Sequence, residues 1–231
     1  MAKSPNRLLA SLPSDVFSAL TPHLKIVELK FGDVLAEAGS PTRQVYFPYS
    51  GVISLVVELQ MGRMIETAMV GRDGALNAAS ALDGKVSLNK GIVQVAGSAG
   101  TIEVNRFRRL ANELEPFRSA LIRHEQVLFA QSQQSAACNA SHSVEARMCR
   151  WLLYMRDLAG SDDLSLTQEF LAQMLSVRRP SVSIVASPLQ KAGLIKYSRG
   201  RIRVLDVKGL QKRACECYGT VKAHYKRLLS N

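Results

Sequence analysis

Apolar and polar positions change their period along the chain, and the changes mark out the elements. From about Lys25 to Val104, short β-branched runs alternate with glycines: VYF at 45–47, GVISLVVEL at 51–59, MIETAMV at 64–70, GIVQVAG at 91–97 and GTIEV at 100–104. Strands this short, with turn signals this frequent, predict an antiparallel sandwich or roll. Ahead of it, PSDVFSALTPHL (13–24) predicts a short helix with Ser14 as N-cap and Val16, Phe17 and Leu20 on one side. From Asn105 to about Ala137 the glycines vanish and the period becomes helical, broken at Pro116.

In the long segment after that break, Phe117, Leu121, His124, Leu128, Gln131, Ser135 and Cys138 recur at alternating four- and three-residue steps. Such a seam fits a partner helix, and Phe117, Leu121, His124 and Leu128 are the expected dimer contacts. The alternative is a helix lying on its own β-domain; dimerisation is the preferred reading. CNASHSV (138–144) is the expected linker, with Ser141 or Ser143 capping the helix that follows.

That helix, Val144 to Leu158, carries Val144, Met148, Trp151, Leu152 and Met155 on one face and stops at Gly160. Next comes LTQEFLAQMLSVRRPSVSIVASPLQKAGLI (166–195), two striped segments around a turn at 176–178. Thr167 is placed to cap the first, whose inward stripe is Phe170, Leu171, Met174 and Leu175. The second starts at Arg179 with Pro180 in its first turn, and buries Val182, Val185, Ala186 and Leu189. KYSRGRIRVLD (196–206) then predicts a hairpin turning at Arg199-Gly200. The pattern is α+β: an N-terminal β-roll, a long helix and a winged helix-turn-helix.

Charge gives this architecture a purpose. Residues 1–142 hold 14 Lys+Arg against 12 Asp+Glu, whereas residues 143–231 hold 16 against 7, so the excess is +2 and +9 respectively. A unit that basic needs a polyanion. Arg178 and Arg179 stand at a helix N-terminus, where the macrodipole is already positive, so an external anion must meet them. Arginine bonds guanine bidentately, serine bonds bases or phosphates, and a small apolar group touches a thymine methyl. Thr167, Arg178, Arg179, Pro180, Ser181, Ser183, Ile184 and Ser187 are therefore the expected DNA-reading set. Arg199, Arg201 and Arg203 of the hairpin are the expected phosphate contacts.

Other classes recede. No apolar run approaches the roughly 20 residues that span a bilayer, and the N-terminus lacks a signal-peptide core. Four cysteines without C-x-x-C spacing predict neither a disulfide scaffold nor a zinc site, so a reduced, cytoplasmic protein is expected. Cys215 and Cys217, read as i and i+2 on one helix, should point apart, one buried and one partly exposed. No nucleophile, acid–base pair or metal set marks an enzyme, and no cofactor or metal is expected. A basic packaging protein would not need the exposed helix face and the wing.

The β-roll, the long helix and the run from Leu166 to Asp206 together resemble the Crp/Fnr family of dimeric bacterial transcription regulators, over about residues 15–206. The resemblance implies a cyclic-nucleotide-binding-like domain at 1–115, a dimerisation helix and linker at 116–142, and a DNA-binding domain at 143–231. It further implies a homodimer on double-stranded DNA, with RNA polymerase and a small-molecule effector as further partners. By the family pattern Arg179 falls on the main guanine-contacting arginine. Two departures stand out. Pro180 replaces the acidic residue that often follows that arginine. Pro188 removes a bond to the Ile184 carbonyl and should bend or shorten the helix.

In cyclic-nucleotide-binding members a glycine–glutamate–leucine run is followed by an arginine beside serine or threonine. Here Gly74-Ala75-Leu76 lacks the glutamate and no such arginine pair follows, so the effector is not expected to be cyclic AMP. Arg72, Asp73 and Lys85 are the candidate effector residues. The family's iron–sulfur mode uses an N-terminal cysteine cluster, and no cysteine precedes Cys138.

Overall fold

The computed structural model describes residues 4–229. Its N-terminal half is a roll of two antiparallel sheets. One has the order β1 (Lys25–Leu29), β7 (Gly97–Glu103), β3 (Gln44–Pro48); the other is β2 (Val34–Ala36), β6 (Lys90–Val95), β4 (Val52–Glu58), β5 (Met64–Val70). All five runs predicted as strands are strands. Leu29 and Ala99 of the first sheet meet Ala36, Ile53 and Val93 of the second, with Leu76 between them. Gly97 and Gly51 let the β3–β4 turn approach β7: a Cβ on Gly97 would lie 2.4 Å from the Ser50 carbonyl oxygen.

A helical layer covers the outer face of the first sheet. Leu8 and Leu9 of α1 (Arg7–Ala10), Val16 and Leu20 of α2 (Ser14–Leu20), and Phe107 of α3 (Val104–Glu113) bury against Val45, Phe47 and Ile102. Ser14 is the first helical residue, not the cap; Pro13 holds the cap position and offers no side-chain acceptor.

The chain breaks at Leu114 and continues as α4 (Glu115–Ser141), with Pro116 in the first turn, where a missing N–H is harmless. The expected linker is mostly helix, because α4 runs on through Cys138 to Ser141 and leaves only His142 and Ser143 between helices.

The expected dimer seam is also corrected: every member is buried within the single chain. Phe117 and Leu121 join the helical layer, with the Phe117 and Phe107 rings edge-on at 5.5 Å. His124 Nε2 accepts from Ala75 N at 3.0 Å, and Leu128 packs on Ala68 and Val70. Gln131 Oε1 accepts from Met69 N at 2.5 Å, and its Nε2 donates to the Tyr154 hydroxyl at 2.6 Å. His124 and Gln131 match fixed partners on this chain, which a helix–helix seam would not supply. The opposite face of α4 carries Ile122 and Phe129, 48% and 65% exposed, with exposed Ala136 seven residues further on.

The C-terminal third packs helices on a small sheet ordered β8 (Asp163–Ser165), β10 (Arg201–Val204), β9 (Ile195–Ser198). α5 (Val144–Ala159) is capped by Ser143, whose Oγ accepts from Ala146 N at 3.3 Å, and ends at Gly160 with φ +68°. Its Met148, Leu152 and Met155 share one core with α6 (Gln168–Met174), α7 (Arg179–Lys191) and the hairpin residues Ile195, Ile202 and Val204. α8 (Val207–Arg213) and α9 (Cys217–Leu229) close the chain, and α9 returns to lie along α4. Val52, Val56 and Met69 of the roll join this core, and polar and aromatic contacts add to it. Trp151 Nε1 donates to Glu66 at 2.6 Å, Arg63 donates to Ser176 Oγ at 2.9 Å, and the Phe31 and Phe170 rings meet edge-on at 6.5 Å. No helix among the described residues is long and apolar enough to cross a membrane.

Candidate nucleic-acid interface

Thr167 caps α6 as its position predicts: Oγ1 accepts from Phe170 N at 3.1 Å, and Glu169 occupies the first turn. Leu171, Ala172 and Leu175 bury against Val182, Ala186 and Leu189 of α7, so the angle between the two helices is set by packed apolar faces. Ser176 turns the chain with φ +53°. Arg178 then takes the N-cap position of α7 without a capping bond, Pro180 lies in the first turn, and that turn holds no acidic residue. This helix end presents cation where the dipole already places positive charge.

Its outward face is open. Arg178, Arg179, Pro180 and Ser187 are exposed, and Ile184 is 71% exposed. Neither arginine has a carboxylate within salt-bridge distance among the described residues. Ser181 is half-buried, as is Ser183, whose hydroxyl donates to Gln168 Oε1 at 3.1 Å. Gln168, which the sequence pattern does not single out, thus holds one of the predicted base-reading groups.

Pro188 neither shortens α7 nor ends it; the helix continues to Lys191, and Ala192 N bonds the Pro188 carbonyl at 3.0 Å. Val182 and Ala186 before it and Leu189 after it are buried, so packing on both sides holds the segment while the proline ring faces solvent.

The hairpin turns at Arg199 (φ +47°) and Gly200 (φ +74°), the paired positive angles that fit a right-twisted two-residue loop. It stands beside α7: the Tyr197 hydroxyl is pushed up by burial and pulled partly back by the nearby Arg179 charge. Arg199, Arg201 and Arg203 are all exposed, but they are not equivalent. Arg203 forms a fork on Asp163, Nε to Oδ1 and Nη2 to Oδ2 at 2.7 Å each, and this pair holds the Asp163 carboxyl below its usual range. Arg199 and Arg201 have no such partner among the described residues.

A family model described as a Crp-like helix-turn-helix domain matches residues 146–213. Over most of the chain the fold is shared with solved regulators. One is a CRP-family transcriptional regulator from Thermus thermophilus, with TM-score 0.68 and 24% identity over 81% of this chain and 96% of that one. Another is FixK2 from Bradyrhizobium japonicum, with TM-score 0.71 and 14% identity over 83% and 98%. A third is the c-di-GMP-responsive regulator CLP from Xanthomonas campestris, with TM-score 0.68 and 15% identity over 84% and 100%. The chain carries a Crp-like helix-turn-helix on a Crp/Fnr fold. No curated protein matches the sequence.

Within this Crp/Fnr fold the candidate effector residues separate. Arg72 and Asp73 line a cavity of about 580 Å³ between the roll and the C-terminal unit, together with Arg7, Arg156, Asp157 and Lys222. Lys85 is not among its lining residues; it lies after the turn at 80–84, with its carbonyl bonded to Thr42 N. Burial pushes the Asp73 carboxyl up. Another hollow, about 250 Å³, opens beside residues 75–80 and α4 and has no lysine or arginine among the described residues that line it. At its edge His124 backs Gly74-Ala75, and a Cβ on Gly74 would lie 2.4 Å from His124 Cε1.

The cysteines overturn the expected divergence of Cys215 and Cys217. Cys215 precedes α9 instead of lying in it, both thiols are buried, and they converge with Cys138 and His142. Nothing in the local spacing signals this, because Cys138 and Cys215 are 77 residues apart.

Proposed function

We propose that this protein is a homodimeric, sequence-specific DNA-binding transcription regulator of the cytoplasm, and not an enzyme. Residues 1–115 serve as sensory domain, 116–142 as connector and 143–231 as DNA reader. The observation that carries the reading is the bare N-terminal end of α7, where Arg178 and Arg179 stand exposed, uncapped and without a carboxylate partner, beside a wing with free Arg199 and Arg201. A helix entering the major groove by that end meets guanine acceptors and phosphates that neutralise it.

Dimerisation uses the outward stripe of α4, Ile122, Phe129 and Ala136, in place of the buried seam. The effector site is the cavity bearing Arg72 and Asp73. Cyclic AMP is disfavoured because, among the described residues, the hollow beside residues 75–80 offers no cationic side chain to a phosphate.

Footprinting of genomic fragments with purified protein tests the reading. The expected result is two protected half-sites about one helical turn (roughly 34 Å) apart on one DNA face. Arg179→Ala should lose about 1–3 kcal/mol at that site with little change on random DNA. Equal losses on both DNAs would make Arg179 a phosphate contact, and binding without preferred sites at any salt would leave a non-specific DNA binder.

A further inference from the structure

Three of the four cysteines, drawn from distant parts of the chain, meet one histidine at the joint between α4 and the C-terminal helices. Cys138 lies in the last turn of α4, His142 follows its end, Cys215 sits in the link after α8, and Cys217 opens α9. Their ligand atoms all lie within 4.8 Å of one another. Cys138 Sγ is 3.5 Å from Cys215 Sγ, and Cys217 Sγ is 3.6 Å from His142 Nδ1. In a tetrahedral site with Zn–S of about 2.3 Å and Zn–N of about 2.0 Å, adjacent sulfurs stand about 3.8 Å apart and sulfur–nitrogen pairs about 3.5 Å. The shortest edges of the cluster already have the dimensions of such a site.

The surroundings match a metal thiolate better than a chance group of thiols. Glu216 Oε1 lies 3.2 Å from His142 Nε2, which places the ring proton there and leaves Nδ1 free as a ligand. Gln134 Nε2 donates to Cys217 Sγ at 3.0 Å. Arg147 and Arg150 are buried beside the cluster, and the Nε of each lacks a hydrogen-bond partner. Arg150 acts electrostatically on the Cys138 thiol, and Arg147 interacts with both Cys138 and Cys215. Arg150 also feels the buried Glu66 carboxyl, but Arg147 has only the Leu175 carbonyl among the described residues, and three neutral thiols bring its guanidinium no negative charge.

We propose that Cys138, His142, Cys215 and Cys217 form a closed structural site for a divalent zinc-type cation. Binding converts three thiols to thiolates with release of three protons. The dication, three thiolates and one neutral imidazole carry one net negative charge, which faces Arg147 and Arg150. Soft thiolates with one imidazole in a tetrahedral set select Zn²⁺ over the oxygen-preferring Mg²⁺ and Ca²⁺. Four protein ligands leave no open position, so the role is structural: the ion ties the end of the connecting helix to the start of α9 and so fixes the seat of the DNA-reading unit. This site stands independently of the DNA reading.

The full-length chain, purified under reducing conditions without chelator, should contain one zinc per chain by elemental analysis. Mercurial titration of the thiols should release that zinc stoichiometrically. Cobalt titration of the metal-free protein should give intense tetrahedral d–d bands and thiolate charge transfer. Cys215→Ser and Cys138→Ser should lose the ion, while Cys149→Ser, whose thiol lies outside the cluster, keeps it. The cobalt spectrum of the unmodified chain decides the matter even if the serine variants fail to fold. Substoichiometric zinc together with no cobalt thiolate signal would overturn the proposal. So would acid-labile sulfide, which would mean an iron–sulfur cluster, or full zinc retained by a folded Cys215→Ser.

Discussion

At the residue scale, the wing shows how equal sequence positions acquire unequal roles. Arg201 and Arg203 share one face of β10, yet Arg203 is forked onto Asp163 across the sheet while Arg201 projects free. An arginine bound to a carboxylate brings no net charge to a phosphate. Arg201→Ala should therefore weaken binding on any DNA sequence and reduce the slope of log affinity against log salt by about one. The double variant Arg203→Ala with Asp163→Ala, which removes a neutral pair, should leave that slope unchanged. Fluorescence-anisotropy titrations over a salt series check both, and equal slope changes would refute the distinction. Thr167 shows the same economy: one lone pair of its oxygen is committed to the α6 cap, and its hydroxyl proton stays free to donate to an external acceptor.

At the element scale, α4 is the informative piece because it is apolar on two sides. One side is spoken for by the roll and by α5, through His124, Leu128 and Gln131. The other leaves Ile122 and Phe129 in water. Two such stripes packed together would bury aromatic and aliphatic surface at about 25 cal/mol per Å². Phe129→Glu places a charge in that contact and should shift the protein from dimer to monomer in sedimentation equilibrium without altering its circular dichroism. A dimer that survives Phe129→Glu with undiminished affinity would move the interface off this face. For α7, the lesson is that a single interior proline does not end a helix whose flanking turns are pinned by Val182, Ala186 and Leu189.

At the scale of the whole molecule, the seat of the C-terminal unit depends on a buried carboxyl. Glu66, on β5, receives the Trp151 indole N–H from α5 and a bond from the Ser54 hydroxyl. Burial pushes its pKa up to about 7, against those two bonds and the Arg150 charge. A carboxyl whose folded pKa exceeds its unfolded value stabilises the fold most when protonated. Its contribution is therefore full below about pH 4.5 and is lost as the pH rises through about 7. The loss is about 3 kcal/mol on the scale of 1.36 kcal/mol per pH unit. Glu66→Gln keeps an acceptor for Trp151 and removes the titration. Denaturant unfolding at pH 5 and pH 8 should show the parent chain falling by most of that amount, about 2.5 kcal/mol, relative to the variant; parallel behaviour would exclude Glu66 as the source.

The strands, the capped helices of the reading head, the positive-φ turn of the wing and the bare cations of α7 were all legible in the chain, because each depends on neighbours a few residues away. Period, cap chemistry and glycine placement act locally, and the fold respects them. What the seam of α4 faces could not be read, since periodicity identifies a stripe but not the surface that covers it. His124 and Gln131 found their donors on residues of the roll about 50 to 60 positions away. The meeting of Cys138, His142, Cys215 and Cys217 was equally hidden, because it depends on α9 doubling back along α4. Local chemistry along the chain was enough to set the elements and the charge they carry. Long-range packing chose which faces meet, which arginines remain free and which thiols become neighbours, because those choices turn on surfaces that come together only once the chain has closed on itself.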